Sequence, residues 1–288
     1  MRSLLFVPGD SEKKLAKSLG SGADALILDL EDSVVAERKP EARKISRDFL
    51  SSRSGSTKLF VRVNPLSSGM ILDDLAAIVG GRPDGIVLPK AEGGDDIRKV
   101  DHDLAALEAR EGLPVGGIAI LPIVTETAAA MFALGTYAGS SPRLCGMTWG
   151  CEDLAAAVGA AENRRPDNSY LPPFELARSL CLFGAAAAGV AAIDTVFTDF
   201  RDDAGLDREA RAAERVGFTG KVAIHPAQIA TINRAFTPDA AAVAWARKVV
   251  DAFAANPSAG TVGLEGKMLD RPHLRTAQRV LERAEAAG

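Results

Sequence analysis

Short runs of Val, Ile and Leu recur along most of the chain, each closed by a polar or turn-forming residue and followed by helical periodicity. The pattern predicts strands over residues 4–7, 25–30, 59–63, 85–88, 118–124, 143–148, 195–198 and 222–224. Runs such as Ala25-Leu26-Ile27-Leu28 are apolar at every position, as strands buried on both faces of a parallel sheet require. Helices are predicted between them, over 12–18, 41–50, 73–79, 95–110, 127–133 and 174–189, and the alanine-rich run 184–193 reads as buried helix. Alternating strand and helix means a parallel α/β fold. Eight units favour a closed (β/α)8 TIM barrel over an open doubly wound sheet. Pro8-Gly9-Asp10 in the first βα turn is not the GxGxxG of a dinucleotide fold, and no Walker phosphate loop occurs.

After Ile232 the pattern changes. A helix is predicted over 239–253, followed by the flexible connection Asn256-Pro257-Ser258-Ala259-Gly260 and a turn-bearing stretch over 264–270. A last helix from about Pro272 places Leu274, Ala277, Leu281 and Ala284 on one face. We therefore place a catalytic barrel domain at 1–235 and a C-terminal helical extension at 236–288, acting as a lid or an oligomer contact.

Composition changes this picture little. With 47% hydrophobic residues in 288, the chain can bury a core of barrel size. The net charge of −4 supplies no basic field for nucleic acid. No apolar run approaches the roughly 20 residues of a membrane span, and residues 4–7 are too short for a signal-peptide core. Cys145, Cys151 and Cys181 form an odd set without paired spacing, which points to a reducing, cytoplasmic setting.

In a barrel the working residues sit at the carboxyl ends of the strands. Those ends read Asp29-Leu30-Glu31-Asp32, Arg62-Val63-Asn64-Pro65, Pro89-Lys90-Ala91-Glu92, Glu126, Trp149-Gly150-Cys151-Glu152-Asp153, Asp199 and His225-Pro226. Carboxylates from separate strands, without Cys or His at ligand spacing, suit a hard divalent cation such as Mg2+. Zinc is disfavoured, because only His102, His225 and His273 exist. Glu31 and Asp32 are candidates for ion pairs with Arg62 or Lys90, and Asp29 for a strand-end cap. Cys151 has no visible base partner and reads as a small packing residue. Nothing marks Lys90 as an imine-forming lysine.

The segments Leu5-Phe6-Val7-Pro8-Gly9, Leu28-Asp29-Leu30-Glu31-Asp32-Ser33-Val34, Val61-Arg62-Val63-Asn64, Leu88-Pro89-Lys90-Ala91-Glu92, Glu126-Thr127, Trp149-Gly150-Cys151-Glu152-Asp153-Leu154, Ile224-His225-Pro226 and Glu265-Gly266-Lys267-Met268-Leu269-Asp270 resemble, in order, the citrate lyase β-subunit-like proteins of the HpcH/HpaI aldolase grouping. The resemblance implies Mg2+, with Mn2+ as a substitute, held by Glu126 and Asp153. It implies that Arg62 grips substrate and that Asp270 serves as acid/base in a neighbouring subunit's site, within a trimer or an assembly of trimers. The implied reaction is retro-Claisen cleavage, or the reverse, of a 3-hydroxyacyl-CoA such as malyl- or citramalyl-CoA into an acyl-CoA and a 2-oxo acid. Backbone amides of Gly150, Cys151 and Asp153 are candidates for the substrate carboxylate. Lys13, Lys14 and Lys17 are candidates for CoA phosphates, with Lys13 and Lys17 the leading pair. Alternatives within this reading are a citrate lyase β subunit acting on a carrier-bound thioester, a malyl-CoA thioesterase, an aldolase acting on a free 2-oxo acid, and a non-catalytic acyl-CoA-binding barrel.

Overall fold

The computed structural model describes residues 1–53 and 55–287. Its elements run β1 (Ser3–Pro8), α1 (Glu12–Ser18), β2 (Ala25–Asp29), α2 (Lys39–Ser51), β3 (Lys58–Arg62), α3 (Ile71–Ile78), β4 (Gly85–Leu88), α4 (Gly94–Arg110), β5 (Ala119–Pro122), β6 (Gly146–Thr148), α5 (Glu152–Val158), α6 (Pro172–Ala188), β7 (Ala191–Asp194), α7 (Asp203–Val216), β8 (Gly220–Ala223) and α8 (Ile229–Phe236). They are followed by α9 (Ala240–Ala254), β9 (Thr261–Leu264), β10 (Lys267–Asp270) and α10 (Arg271–Ala287). The chain divides into two compact units, Met1–Asn233 and Arg234–Gly288.

In the first unit eight parallel strands lie in the order β5-β4-β3-β2-β1-β8-β7-β6. Single parallel bridges, Ile120 to Leu144 and Ile123 to Thr148, bring β5 to β6 and close the (β/α)8 TIM barrel. The continuous apolar runs explain the closure: β2 and β4 are buried at every position, so both faces must be covered. The barrel interior is filled by Leu4, Ala25, Ile27, Phe60, Val87, Leu121, Ile123, Ile193 and Val222.

Two predicted elements need correction. The strand expected over 195–198 lies at β7, four residues earlier. Gly189, at φ 70°, ends α6 in the left-handed conformation that glycine adopts without a Cβ clash. Ala191 and Ala192 therefore belong to a strand and not to the helix of the alanine run. The helix expected over 127–133 is absent, and two short 3-10 turns, Ala130–Phe132 and Leu134–Tyr137, make the connection from β5 to β6.

The shift of β7 brings Asp194 into a buried charge cluster. Lys221 Nζ of β8 donates to Asp194 Oδ2 and to Glu209 Oε1, both at 2.8 Å, and Lys221 and Asp194 are fully buried. Arg178 of α6 forks onto Asp194 at 3.0 and 3.1 Å, and the Trp149 indole donates to it at 2.8 Å. These partners outweigh the cost of burial and hold the Asp194 carboxyl below the usual range. Lys221→Met would leave the buried Asp194 and the largely buried Glu209, which also pairs with Arg164 at 2.6 Å, one cation short. We expect it to cost about 3 kcal/mol or more in chemical denaturation; a loss below about 1 kcal/mol would show that Arg178 and Arg164 suffice.

The second unit packs α9 and α10 with an antiparallel β9–β10 hairpin around Ala246, Val249, Phe253, Val262, Leu269 and Ala277. Asp239 caps α9 by accepting from the Ala242 amide at 2.7 Å. The stretch read as turn-bearing is the hairpin itself. Glu265 and Gly266, at φ 49° and 75°, give the two left-handed positions that a tight hairpin turn takes.

Candidate active site

A cavity of about 460 Å3 opens at the carboxyl ends of the barrel strands. Its deeper wall is apolar, with Phe6, Ile27, Val87, Leu121, Ile123 and Val222, and these residues mostly belong to the barrel core. Its rim carries Asp29, Asp32, Arg62, Glu126, Glu152 and Asp153.

Arg62, the last residue of β3, is placed by its neighbour strand. Asp29 stands opposite it in the β2–β3 register and takes Nε and Nη2 on its two oxygens, both at 2.7 Å. Asp29 is 2% exposed and also accepts from the amides of Glu31 and Ser33 at 2.9 and 3.1 Å. Burial works against its ionisation, but Arg62 and these amides hold the carboxyl below the usual range. Arg62 Nη1 lies 2.9 Å from Glu31 Oε2. That oxygen nevertheless has no aligned donor, so the contact is one of charge and not a directed hydrogen bond. Asp29 thus takes two of the five guanidinium N–H groups, which leaves donors for an incoming oxygen. Burial would lower the Arg62 pKa; its three carboxylates prevail and raise it. Behind the site, Lys39 Nζ donates to the carbonyls of Leu30 and Glu31 at 2.8 and 2.9 Å and to Asn64 Oδ1 at 2.8 Å, pinning the loop after β2.

Glu126 lies across Gly150, where a Cβ would sit only 2.8 Å from Glu126 Cγ, so a side chain at 150 would push the carboxylate aside. Its Oε2 accepts from the Lys90 amide at 2.6 Å. Lys90 holds this amide in place with a left-handed backbone, φ 52°, that is uncommon for a residue with a Cβ. Lys90 Nζ donates to Glu31 Oε1 at 2.6 Å and lies 3.3 Å from Asp153 Oδ1. Burial, reinforced by the charges of Asp153 and Glu31 and opposed by the Lys90 amide, pushes the Glu126 carboxyl up to about 8. Burial likewise holds Glu31 above the usual range against Arg62 and Lys90.

Five carboxylates therefore face two cations: Asp29, Glu31, Asp32, Glu126 and Asp153 against Arg62 and Lys90. A divalent cation between Glu126 and Asp153 would relieve this excess. Among the described residues no three His, Cys, Asp or Glu side chains group closely enough to enclose a metal by themselves. The donor set fits Mg2+, which takes one or two carboxylates and completes its octahedron with water and substrate.

The structure brings Arg62, Glu126, Gly150, Cys151 and Asp153 to one cavity. Glu31 and Lys90 join them through ion pairs, as the sequence reading allowed. Cys151 is buried, and burial, with Glu152 adding to it, raises its thiol to about 12, which suits packing and not nucleophilic attack. Asp199 lies beyond the corrected β7, is exposed and is not in the lining; Thr195 takes the strand-end position. His225 caps the short turn that follows β8, accepting from the Ala227 amide at 3.2 Å. Lys13 and Lys17 are exposed on α1, outside the lining. Asp270 ends β10 and belongs to the second unit. There His273 Nδ1 lies 2.5 Å from its Oδ1 and holds the carboxyl below the usual range. Sequence reasoning missed Thr148 and Asp194. The alternation of β6 was available as a signal for Thr148, whereas Asp194 was hidden by the misplaced strand.

Among described residues no helix is long and apolar enough to cross a membrane. The chain is 34% identical to a (3S)-malyl-CoA thioesterase of Cereibacter sphaeroides, over 99% of this chain and 95% of that one. It is also 34% identical to the mitochondrial citramalyl-CoA lyase of Mus musculus, over 97% and 85%. Its fold matches the crystal structure of the protein CitE from Mycobacterium tuberculosis in complex with magnesium, acetoacetate and coenzyme A. That match has a TM-score of 0.79 and 34% identity and covers 99% of this chain and 98% of that one. Residues 2–226 match the family described as HpcH/HpaI aldolase/citrate lyase, and with full-length relatives above 30% identity the chain belongs to that family.

Proposed function

We propose that the protein is a Mg2+-dependent oxo-acid lyase that cleaves or forms a 3-hydroxyacyl-CoA of the malyl or citramalyl type. The observation that carries this reading is the under-compensated pair Glu126 and Asp153 in the cavity that Arg62 also lines. It gains support from relatives named as a citramalyl-CoA lyase and from a neighbour crystallised with magnesium, acetoacetate and coenzyme A.

Glu126 and Asp153 are the residues that would hold Mg2+, which supplies Lewis acidity and a template for the oxo-acid portion. In the cleavage direction the 3-hydroxyl loses its proton and its oxygen becomes the carbonyl of the 2-oxo acid. The bond between carbons 2 and 3 breaks, its electron pair passes to the thioester as an enolate, and a proton on carbon 2 completes the acyl-CoA. Arg62 offers a fixed, always-charged fork to a carboxylate or enolate oxygen. Asp29, Lys39 and Asn64 keep that fork and its loop from shifting. The apolar wall excludes water from the carbanionic carbon. Gly150, Cys151 and Asp153 complete the substrate's surroundings, and Lys13 and Lys17 are proposed contacts for CoA phosphates.

Asp270 is proposed as the group that moves the proton, supplied to the cavity of a second copy in a homotrimer or hexamer. Leu176 and Phe183, exposed two turns apart on α6, support association between copies. Three unpaired thiols support a reducing, cytoplasmic location.

The test is incubation of purified protein with Mg2+, acetyl-CoA or propionyl-CoA, and glyoxylate or pyruvate, with products followed by mass spectrometry. Condensation or cleavage with at least one pair is expected. With malyl-CoA supplied instead, release of free CoA and malate without acetyl-CoA and glyoxylate would identify a thioesterase, and cleavage of a citryl-carrier alone would overturn the stand-alone lyase. Mixed oligomers of Asp270→Asn and Glu126→Gln chains should regain part of the parent activity. Verified subunit exchange without recovery would remove Asp270 from a partner's site.

A further inference from the structure

The cavity contains a polar group that the protein itself does not satisfy. Thr148 is 3% exposed and lines the cavity, yet its Oγ1 is buried without a hydrogen-bond partner among the described residues. Its direction follows from the strand, because side chains alternate across β6. Met147 reaches the helix layer, where a Cβ on Gly184 of α6 would meet its Cε at 3.0 Å. Gly146 faces the other way: a Cβ there would meet Leu121 Cδ1, part of the barrel core, at 3.1 Å. Thr148 shares the side of Gly146 and so points into the barrel. It is paired with Ile123 at the bridge that closes the barrel, beside the apolar wall that includes Leu121 and Val222.

A buried hydroxyl without a partner is costly, and native proteins rarely leave one so. The neighbouring Thr125 shows the ordinary arrangement, donating to the Gly150 carbonyl at 3.2 Å and accepting from its amide at 3.1 Å. Thr148 has no such role in the fold. We propose that Thr148 Oγ1 is a substrate-binding group, donating a hydrogen bond to a carboxylate or carbonyl oxygen of a short 2-oxo acid. The inference rests on the lyase reading and deepens it by assigning a determinant for the oxo-acid half of the substrate. It also explains why a hydroxyl stands in an apolar wall: the stability it costs the empty protein is recovered when ligand binds.

The experiment is calorimetric titration of pyruvate and of glyoxylate into the full-length protein with Mg2+, together with thermal melts of the ligand-free protein. Thr148→Val exchanges the hydroxyl for a methyl group of similar size. It is expected to weaken binding of both acids about 10- to 100-fold, the usual range for a hydrogen bond to a charged group, while Tm stays level or rises. Thr148→Ser should bind within about threefold of the parent, since it keeps the donor. Where valine does not fold, Thr148→Ala should show the same loss of affinity. Undiminished binding by a folded Val or Ala variant would overturn this inference alone. So would a fall in Tm for Thr148→Val, since the hydroxyl would then have an internal partner. A parent protein that binds neither acid would overturn the lyase reading along with it.

Discussion

Glu126→Gln is expected to abolish Mg2+ binding and turnover while making the cation-free protein more stable than the parent at pH 8. The carboxyl titrates near 8 in the folded protein against an ordinary value of 4.5, chiefly through burial. Below about pH 4.5 it is protonated in folded and unfolded chains alike, and its contribution is fully present. As pH rises towards 8 the unfolded chain releases the proton and the folded one keeps it. Stability is therefore lost across that window, by about 1.4 kcal/mol per pH unit from this group. Glutamine resembles the protonated acid in shape and can still accept from the Lys90 amide, so the variant should lose this part of the pH slope. Mg2+ should restore the parent at pH 8, because a ligand that binds only the folded state stabilises it, and should leave the variant unmoved. Thermal melts at several pH values, with and without Mg2+, decide the matter. A variant that melts below the cation-free parent at pH 8, or that responds equally to Mg2+, would refute the role given to Glu126.

Arg62→Ala should lower kcat about 10²- to 10³-fold, the usual loss for a preorganised charge-stabilising donor. It should also destabilise the fold by about 3–5 kcal/mol, because Asp29 and Glu31 lose a buried partner. These effects separate in Arg62→Lys. Lysine restores a charge and should recover much of the stability, yet it cannot span both Asp29 oxygens and also face the cavity, so turnover should stay low. Retained Mg2+ binding in Arg62→Lys would distinguish Arg62 from Glu126. A kcat for Arg62→Lys within threefold of the parent would show that charge alone suffices and the fork does not matter.

Much of the barrel is legible in the sequence because its strands are buried on both faces, and a run such as 25–28 has no polar alternation to confuse it. The strand ends are legible for the same reason, since a polar residue stops each run where the cavity begins. The failures lie where composition is ambiguous. Alanine is tolerated in helix and strand, so residues 184–193 read as one helix until Gly189 adopts its left-handed φ. The stretch 127–133 has helical periodicity but yields only the 3-10 turn Ala130–Phe132, which breaks at Ala133 before a second turn, Leu134–Tyr137.

The sequence by itself determined the eight-unit parallel fold, the family, and the carboxylates and arginine available at the strand ends, because these depend on periodicity and local order. Only the tertiary structure decided how those charges are shared. It set Arg62 on Asp29 and Glu31, Lys90 between Glu31 and Asp153, and Glu126 against Gly150 with a carboxyl pushed up to about 8. It also decided that the Thr148 hydroxyl is left without a partner inside the barrel. Ionisation and hydrogen-bond satisfaction depend on burial and on distances between residues far apart in the chain, which strand-end spacing does not encode.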